Sequence, residues 1–220
     1  IIRDGIERMY GSQPEDCYYY LTLYNEAYPM PAMPPGVEDG IVRGLYRFRA
    51  APTPGRHRAQ ILASGTAVLA ALDAQRMLAD EFEVAADVWS ATSYKLLRDE
   101  ALDVERWNRL HPAEPPRVPY VTEALTDAEG PLVAVTDFVK AVPDQIARFV
   151  PGRLVSLGTD GYGTSDTRIA LRRHFEVDAA HLVVAVLQAL AQQGDLKAER
   201  VAEAIRRYDI DPDRPDPRTT

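Results

Sequence analysis

The stretch Leu132-Val-Ala-Val-Thr136 decides the fold, because it is apolar up to its last residue and does not alternate between apolar and polar positions. Val84 to Trp89 and Arg153-Leu-Val-Ser-Leu157 have a similar character. Such runs are typical of parallel strands that helices cover on both faces. Two further β-favouring runs, Leu45-Tyr-Arg-Phe-Arg49 and Arg58-Ala-Gln-Ile-Leu-Ala63, bring the prediction to about five strands.

The first two strands flank Ala-Pro-Thr-Pro-Gly at residues 51–55. Proline and glycine at these positions favour a turn, so we expect residues 45–49 and 58–63 to form a hairpin-like antiparallel pair. The remaining strands are separated by longer stretches with helical periodicity, which favours parallel pairing through helical crossovers.

Apolar residues at helical spacing mark the covering helices. Ser64 and Gly65 open a helix with an apolar stripe that includes Val68, Leu78 and Phe82, and Asp178 is a candidate N-cap of a later helix. The sequence therefore predicts an α/β fold, a three-layer α/β/α arrangement around a mixed, mostly parallel sheet. The strand residues expected to be buried in it are Ile61, Val88, Val133, Val135, Val155 and Leu157.

The N-terminal region has a different pattern. Residues 1–10 place Ile2, Ile6 and Met9 on one helical face, and the aromatic run from Cys17 to Tyr24 predicts a buried strand. A helix and one strand cannot cover their own apolar surface. We therefore expect an orphaned strand that promotes self-association, and we expect that deleting residues 1–28 improves solubility.

Pro29-Met-Pro-Ala-Met-Pro-Pro-Gly36 contains four prolines in eight residues, which excludes regular structure and favours a stiff connector. We place the domain boundary there. The predicted division is a partial domain at residues 1–28, a linker at residues 29–36, and a complete domain at residues 37–220.

Composition limits the classes of partner. The formal charge of −8, from 33 acidic and 25 basic residues, disfavours binding to nucleic acid. Cys17 is the only cysteine, which excludes an intrachain disulfide and fits a reduced, cytoplasmic compartment; we expect a buried, inert thiol. The longest apolar stretch, His181 to Ala191, is too short to span a bilayer.

The most specific local motif is Leu157-Gly-Thr-Asp-Gly-Tyr-Gly-Thr-Ser-Asp166, which joins a predicted strand to a helix. Such a junction forms either a structural turn or an anion site at the start of the helix, where Ser165 or Asp166 would be the cap. Its spacing matches neither the dinucleotide fingerprint nor the Walker loop, and both interpretations stay open. The candidate anion-binding residues are Gly158, Asp160, Gly161, Gly163, Ser165 and Asp166.

Other candidates for chemistry are few. The histidines (His57, His111, His174 and His181) do not follow any metal-ligand spacing. Trp107 lies beside Arg106 and Arg109, and tryptophan and arginine dominate interface hot spots, although core packing of Trp107 is an equally good interpretation. We therefore predict no catalytic, cofactor-binding or metal-binding residue. The candidate interface residues are Tyr18, Tyr20, Arg106, Trp107 and Arg109.

Several of these motifs together resemble the C-terminal quarter of the homodimeric bacterial pyruvate dehydrogenase first component. The runs occur in the family's order and cover nearly the whole chain. They are Tyr18-Tyr-Tyr-Leu-Thr-Leu-Tyr-Asn-Glu26, Met30-Pro-Ala-Met-Pro-Pro-Gly36, Glu105-Arg-Trp-Asn-Arg-Leu-His-Pro112, Pro116-Arg-Val-Pro-Tyr120, Leu157-Gly-Thr-Asp-Gly-Tyr-Gly-Thr-Ser-Asp166 and His174-Phe-Glu-Val-Asp178.

The resemblance implies that residues 1–28 end the family's pyrimidine-binding domain and that residues 37–220 form its transketolase-type C-terminal domain. The family binds thiamine diphosphate and Mg²⁺ between its first two domains, at the interface of a homodimer. The Gly-Asp-Gly start of its metal motif is absent here, and Asp160-Gly161 does not replace it. The resemblance therefore carries over no catalytic residue, and we expect this chain alone to bind no cofactor.

For the parent enzyme, the resemblance implies decarboxylation of pyruvate and transfer of the acetyl group to the lipoyl group of a dihydrolipoyl acetyltransferase. This chain would then contribute architecture and contacts to the missing N-terminal domains and the second subunit. Two alternatives remain, a plain dimerisation module and a stand-alone anion- or nucleotide-sensing domain. The sensing domain requires Arg168 and Arg172 to face the Gly158–Asp166 loop.

Overall fold

A computed structural model describes residues 1–219 and contains one five-stranded sheet with helices on both faces. The strands are β1 (Leu45–Arg49), β2 (His57–Ala63), β3 (Val84–Ala91), β4 (Leu132–Val135) and β5 (Leu154–Leu157). The helices are α1 (Ile2–Tyr10), α2 (Glu38–Arg43), α3 (Ala67–Phe82), α4 (Tyr94–Leu110), α5 (Tyr120–Ala124), α6 (Ala141–Asp144), α7 (Arg168–His174), α8 (Ala179–Gln193) and α9 (Ala198–Arg207). The predicted α/β fold with a mixed, mostly parallel sheet is confirmed.

The sheet order is β1-β3-β2-β4-β5. Strands β2 to β5 run parallel, and β1 pairs antiparallel with β3 through partners such as Leu45 and Ala91. The predicted hairpin between β1 and β2 is therefore wrong. Residues 59–63 of β2 are buried, so this strand suits the middle of the sheet, whereas the alternating exposure of β1 suits an edge.

Asp87 of β3 holds the connection that passes from β1 across β3 to β2. Its carboxylate accepts a hydrogen bond from the backbone N–H of Ala51 (2.8 Å) and another from Arg58 (3.1 Å). Because the side chain is only 5% exposed, these donors supply the partners that a buried carboxylate needs. The turn residues of the β1–β2 connection do not indicate this contact with β3, so they favoured a hairpin.

Adjacent residues of the central strands face opposite layers, as the period of a β-strand requires. Ile61 and Val133 belong to one apolar cluster with residues of α3 and α8, including Leu187. Leu62 and Ala134 belong to a second cluster on the other face. Apolar contact on both faces explains why the central strands are apolar without alternation.

The predicted burial is confirmed for Ile61, Val88, Val133 and Val135, each of which is 0% exposed. It is wrong for Val155 and Leu157, which are only half-buried. These two residues lie on β5, the outer strand at one end of the sheet, which within residues 1–219 pairs only with β4.

Two predicted helices are confirmed, the first with an adjusted start and the second with its predicted cap. The first begins at Ala67 with Thr66 as N-cap, and Val68, Leu78 and Phe82 are buried. The second is α8, where Asp178 Oδ1 accepts a hydrogen bond from His181 N at 2.9 Å, as an N-cap does.

The segment Arg168–Gln193 has the length and hydropathy of a membrane-spanning helix by composition alone. In the fold, the turn at residues 175–178 divides it into α7 and α8. Six apolar residues of α8 are buried and belong to the same apolar cluster as residues of the sheet and α3, so the helix belongs to the core of the domain. The buried members are Leu182, Val183, Val186, Leu187, Ala189 and Leu190.

The N-terminal helix is confirmed as α1, but the strand predicted for Cys17–Tyr24 does not form. Tyr18, Tyr20 and Leu23 are 87%, 84% and 88% exposed, and Cys17 is half-buried instead of buried. A strand needs a neighbour to pair with, and within residues 1–219 this segment pairs with none. Residues 29–34 form neither helix nor strand, as the prolines predict.

Candidate functional site

The strand order creates a crevice at the carboxyl edge of the sheet. From β2 the chain crosses to β3 on one side, whereas β4 lies on the other side of β2. In parallel sheets a reversal of this kind leaves a crevice beyond the carboxyl ends of the two central strands, which is a common place for ligands. The residues that follow β2, β4 and β5 therefore define the candidate site.

Two buried hydroxyls form the floor of this crevice. Ser64 follows β2, Thr136 follows β4, and their hydroxyl oxygens lie 2.7 Å apart in a hydrogen bond. Thr136 Oγ1 also accepts a hydrogen bond from the backbone N–H of Phe138 at 3.2 Å. Since both hydroxyls are bonded to neighbours within the fold, the floor links the ends of two adjacent strands.

Above the floor, Asp137 receives two hydroxyl donors. Thr66 Oγ1 donates to Asp137 Oδ2 at 2.6 Å, and the Tyr24 hydroxyl donates to the same oxygen at 3.1 Å. Burial, reinforced by the negative charge of Asp137, raises the pKa of the Tyr24 phenol. Tyr24 is therefore a neutral donor at physiological pH and does not act as a base.

The Tyr24 side chain reaches the crevice by passing close to the backbone of Gly65. The glycine φ of +55° lies in the left-handed region, and a Cβ there would come within 2.3 Å of the Tyr24 hydroxyl. The glycine therefore allows an aromatic residue from the N-terminal region to reach the start of α3.

Two arginines of α7 hold the same N-terminal segment. Arg168 Nε pairs with Glu26 at 2.5 Å, and Arg168 Nη2 donates to Asn25 Oδ1 at 2.9 Å. Arg172 Nη2 donates to Thr66 Oγ1 at 3.2 Å. Both guanidinium carbons lie 5.7 Å from the ring centroid of Tyr28, within the range of a cation–π interaction.

A cavity of about 300 Å³ remains beside these side chains. The Gly158–Asp166 loop contributes Gly161 and Gly163 to its wall, and α7 contributes Arg168 and Arg172. The guanidiniums nevertheless donate to Asn25, Glu26 and Thr66 of the chain itself. The cationic pocket that a stand-alone anion sensor requires is therefore not supported.

The loop itself is held by its own neighbours. Asp160 Oδ1 accepts a hydrogen bond from Lys140 N at 2.8 Å, and Thr159 N donates to Phe138 O at 2.9 Å. Gly161 has a φ of +112°, and a Cβ there would lie 2.4 Å from the backbone oxygen of Pro217. These contacts favour the structural interpretation for Gly161.

The predicted cap of the following helix is wrong. The N-cap is Thr167, whose hydroxyl accepts a hydrogen bond from Ala170 N at 3.3 Å, and it is neither Ser165 nor Asp166. Asp166 Oδ1 instead accepts from the adjacent Thr167 N at 2.6 Å. The loop is irregular up to residue 167, and α7 therefore begins at Arg168, later than predicted.

The candidate interface residues lie in two places. Trp107 is half-buried on α4, where it stacks on His111 at 4.5 Å and lies 3.8 Å from the guanidinium of Arg117. Arg106 and Arg109 are exposed on the same helix. Tyr18 and Tyr20, on the N-terminal segment, are also exposed. An interface role for these residues stays a prediction.

Within residues 1–219, no group of three His, Cys, Asp or Glu residues is positioned to hold a metal ion. Three histidines instead bond to their own fold: His181 to Asp178 at 2.7 Å, His111 to Trp107 O at 2.8 Å and His174 to Arg214 at 2.9 Å. These contacts give the three histidines a structural role.

Sequence reasoning missed Tyr24, Thr66 and Asp137. The position of Asp137 immediately after β4 is a usable signal, because residues at the carboxyl ends of parallel strands meet at one edge. No local pattern indicates that Tyr24 reaches this edge, since the contact with Asp137 spans 113 residues.

The strand order and the two covered faces define an α/β domain with a parallel sheet and one antiparallel edge strand. The family model described as a transketolase-like TK C-terminal domain matches residues 44–178, which is more than half of the chain. The chain belongs to this family.

Several relatives carry the name pyruvate dehydrogenase E1 component. The protein of Mycolicibacterium smegmatis is 50% identical over 96% of this chain, which spans 23% of that protein. The protein of Cupriavidus necator is 47% identical over 99% of this chain and 24% of its own length. The protein of Escherichia coli K12 is 45% identical over 99% of this chain, which spans 24% of that protein.

These matches confirm the resemblance to the pyruvate dehydrogenase first component. The chain spans about a quarter of the length of the relatives that it matches.

Proposed function

We propose that this chain is the C-terminal part of a pyruvate dehydrogenase E1 component and that it contributes architecture and subunit contacts, not catalytic groups. The observation that carries the proposal is the 45–50% identity over 96–99% of the chain to E1 components of which it spans only 23–24%. Identity that extends across the whole chain supports descent of the whole segment, including residues 1–43, which lie before the family-model match.

In this proposal the parent enzyme decarboxylates pyruvate in the cytoplasm. When bound, thiamine diphosphate with Mg²⁺ supplies an electron sink for the electron pair that the departing carboxylate leaves on the keto carbon. The two-carbon fragment is then transferred as an acetyl group to the lipoyl group of a dihydrolipoyl acetyltransferase, whose disulfide is reduced in the transfer. Among residues 1–219 no group of three His, Cys, Asp or Glu residues lies together, and the proposal assigns no step of this reaction to the chain.

The crevice supports a scaffold role. Asp137 accepts hydrogen bonds from two hydroxyls, and Tyr24, one of its donors, has a raised pKa. A general acid or base works best with a pKa near the operating pH, which is the opposite of what burial does to this phenol. The contacts instead connect the N-terminal segment to the α/β domain.

The N-terminal segment supports the proposal that residues 1–28 belong to a preceding, pyrimidine-binding domain. The outward face of α1 carries Ile2, Ile6 and Tyr10, which are 67%, 55% and 79% exposed. Tyr18 and Leu23 add further exposed apolar surface. A surface of this kind suits a protein contact, which we assign to the N-terminal domains and the second subunit of a homodimer.

Calorimetry of the 220-residue chain with thiamine diphosphate and Mg²⁺ tests the scaffold proposal. We expect no saturable heat, because the described residues bring no cluster of metal ligands together. Pyruvate decarboxylation by the chain should likewise not exceed the rate with cofactor alone. Saturable binding by the chain alone would overturn the scaffold assignment.

A complementation experiment tests the parentage. The M. smegmatis E1 component, truncated before the region that this chain matches, is assayed for pyruvate decarboxylation with and without the added chain. We expect turnover only in the mixture, because the missing domain surfaces dock. A matched control adds the chain without residues 1–36, which removes the proposed docking segment. Turnover that is independent of the added chain would contradict the proposal.

A further inference from the structure

We propose that two distant segments of the chain hold the loop–α7 unit, residues 158–174, in place from opposite sides. The conformational order of each segment then depends on the other through this unit. The two segments are residues 24–28, before the α/β domain, and residues 214–219, after α9. This inference concerns the chain itself and goes beyond its proposed role in a parent enzyme.

The unit has little apolar anchoring of its own. Among the seven described residues of α7, none is buried. Ile169 and Tyr162 are 84% and 83% exposed. A helix of seven residues is too short to be stable without tertiary contacts, so the order of α7 depends on what holds its polar side chains.

Residues 24–28 contact one side of the loop–α7 unit. Arg168 makes an ion pair with Glu26 and a hydrogen bond to Asn25, and both Arg168 and Arg172 lie against the Tyr28 ring. The Tyr24 ring meets the Tyr28 ring edge to face, with centroids 6.1 Å apart. Tyr24 is in turn bonded to Asp137, so these contacts connect α7 to the end of β4.

Residues 214–219 hold the opposite side. Pro217 is the buried residue of this segment, and its backbone oxygen lies against Gly161, where any Cβ would clash. Arg214 Nη2 lies 2.9 Å from Nδ1 of His174, the last residue of α7. A small polar cavity of about 170 Å³ separates the segment from Lys140 and Asp160.

The geometry makes the two sides interdependent. The loop and α7 are also held by the hydrogen bond from Lys140 N to Asp160 and by those from Arg173 to the carbonyls of Tyr208 and Asp209. When residues 214–219 release Gly161 and His174, the unit loses one of these supports, and the arginines that hold residues 24–28 become more mobile. Because coupling between two contacts is reciprocal, release of residues 24–28 must also loosen residues 214–219. Local opening of such weakly anchored units is measurable by amide hydrogen exchange.

Hydrogen exchange of the 220-residue chain with Pro217→Asp is the first test. Its matched control is Pro215→Asp, which introduces the same charge at an exposed proline of the same segment. We expect exchange in residues 159–174 to rise roughly tenfold or more in Pro217→Asp and chymotryptic cleavage after Tyr24 to accelerate, and we expect neither change in the control. A rise confined to residues 213–219 would overturn the proposal.

The reciprocal test uses Arg168→Gln, with Arg206→Gln as its control, since Arg206 is an exposed arginine of α9. We expect Arg168→Gln to raise exchange in residues 213–219 and to accelerate chymotryptic cleavage after Tyr24. Unchanged exchange in residues 213–219 would overturn the proposal. Protection of α8 reports whether the fold is intact, and if Pro217→Asp loses it, the Arg168→Gln result decides.

Discussion

Asp178 shows how one carboxylate organises the start of a core helix. Its Oδ1 accepts hydrogen bonds from the backbone N–H of His181 and lies 2.7 Å from the ring nitrogen Nδ1 of the same residue. Arg173 Nη1 lies 3.5 Å from the other oxygen. Burial alone would raise the pKa of Asp178, but the His181 hydrogen bonds and the charges of His181 and Arg173 outweigh it and hold the pKa below its ordinary value.

This shift predicts a pH-dependent contribution to stability. Because the folded pKa is depressed, the stabilisation is present above the unfolded pKa of about 4 and is lost as the pH falls through the folded pKa. We expect Asp178→Asn, which keeps a capping side chain, to be less stable than the native chain at pH 7 and closer to it at pH 3. Urea unfolding at both pH values measures the difference. A destabilisation that is the same at both would contradict the assignment.

At the scale of the element, β4 and β5 form a matched pair of parallel strands. Val133 of β4 is aligned with Val155 of β5 in the register. Val133 is 0% exposed and lies between two strands, whereas Val155 is half-buried on the edge strand. The same residue type therefore occurs in two environments, one strand apart.

Truncation of these two valines should have unequal effects. We expect Val133→Ala to lower the free energy of unfolding by about 2–4 kcal/mol, because it loses buried apolar surface and leaves a cavity. Val155→Ala should cost clearly less, since solvent already reaches the side chain. Denaturant unfolding of both variants gives the comparison. Equal losses would mean that β5 is covered to the same degree as β4.

At the scale of the whole molecule, the N-terminal region divides into two parts with different surroundings. Residues 1–23 carry the exposed apolar side chains of α1 and of the following segment, including Ile2, Tyr18 and Leu23. Residues 24–28 bond to the α/β domain through Tyr24 and through the partners of Arg168. The predicted deletion of residues 1–28 would therefore remove a stabilising contact together with the exposed surface.

This division sharpens the prediction of self-association. We expect the 220-residue chain to form concentration-dependent oligomers or aggregates, because exposed apolar side chains recruit other copies. Deletion of residues 1–23 should restore a monomer and leave the stability nearly unchanged. Deletion of residues 1–28 should also reduce association but lower the melting temperature. Light scattering and thermal unfolding measure both effects, and a native chain that stays monomeric would contradict the prediction.

The sequence by itself determined the strands, the two-faced burial of the central ones and the α8 cap at Asp178, because hydrophobic runs and capping residues act over a few neighbouring positions. It also predicted a strand at Cys17–Tyr24 that does not form, since β-propensity does not supply a pairing partner.

Only the tertiary structure decided the place of β1 beside β3, the exposure of Val155 and the entry of Tyr24 into the crevice at Asp137. Each of these depends on which distant segments become neighbours. That choice is set by the summed burial and hydrogen bonding of the whole sheet, which no local pattern of residues records.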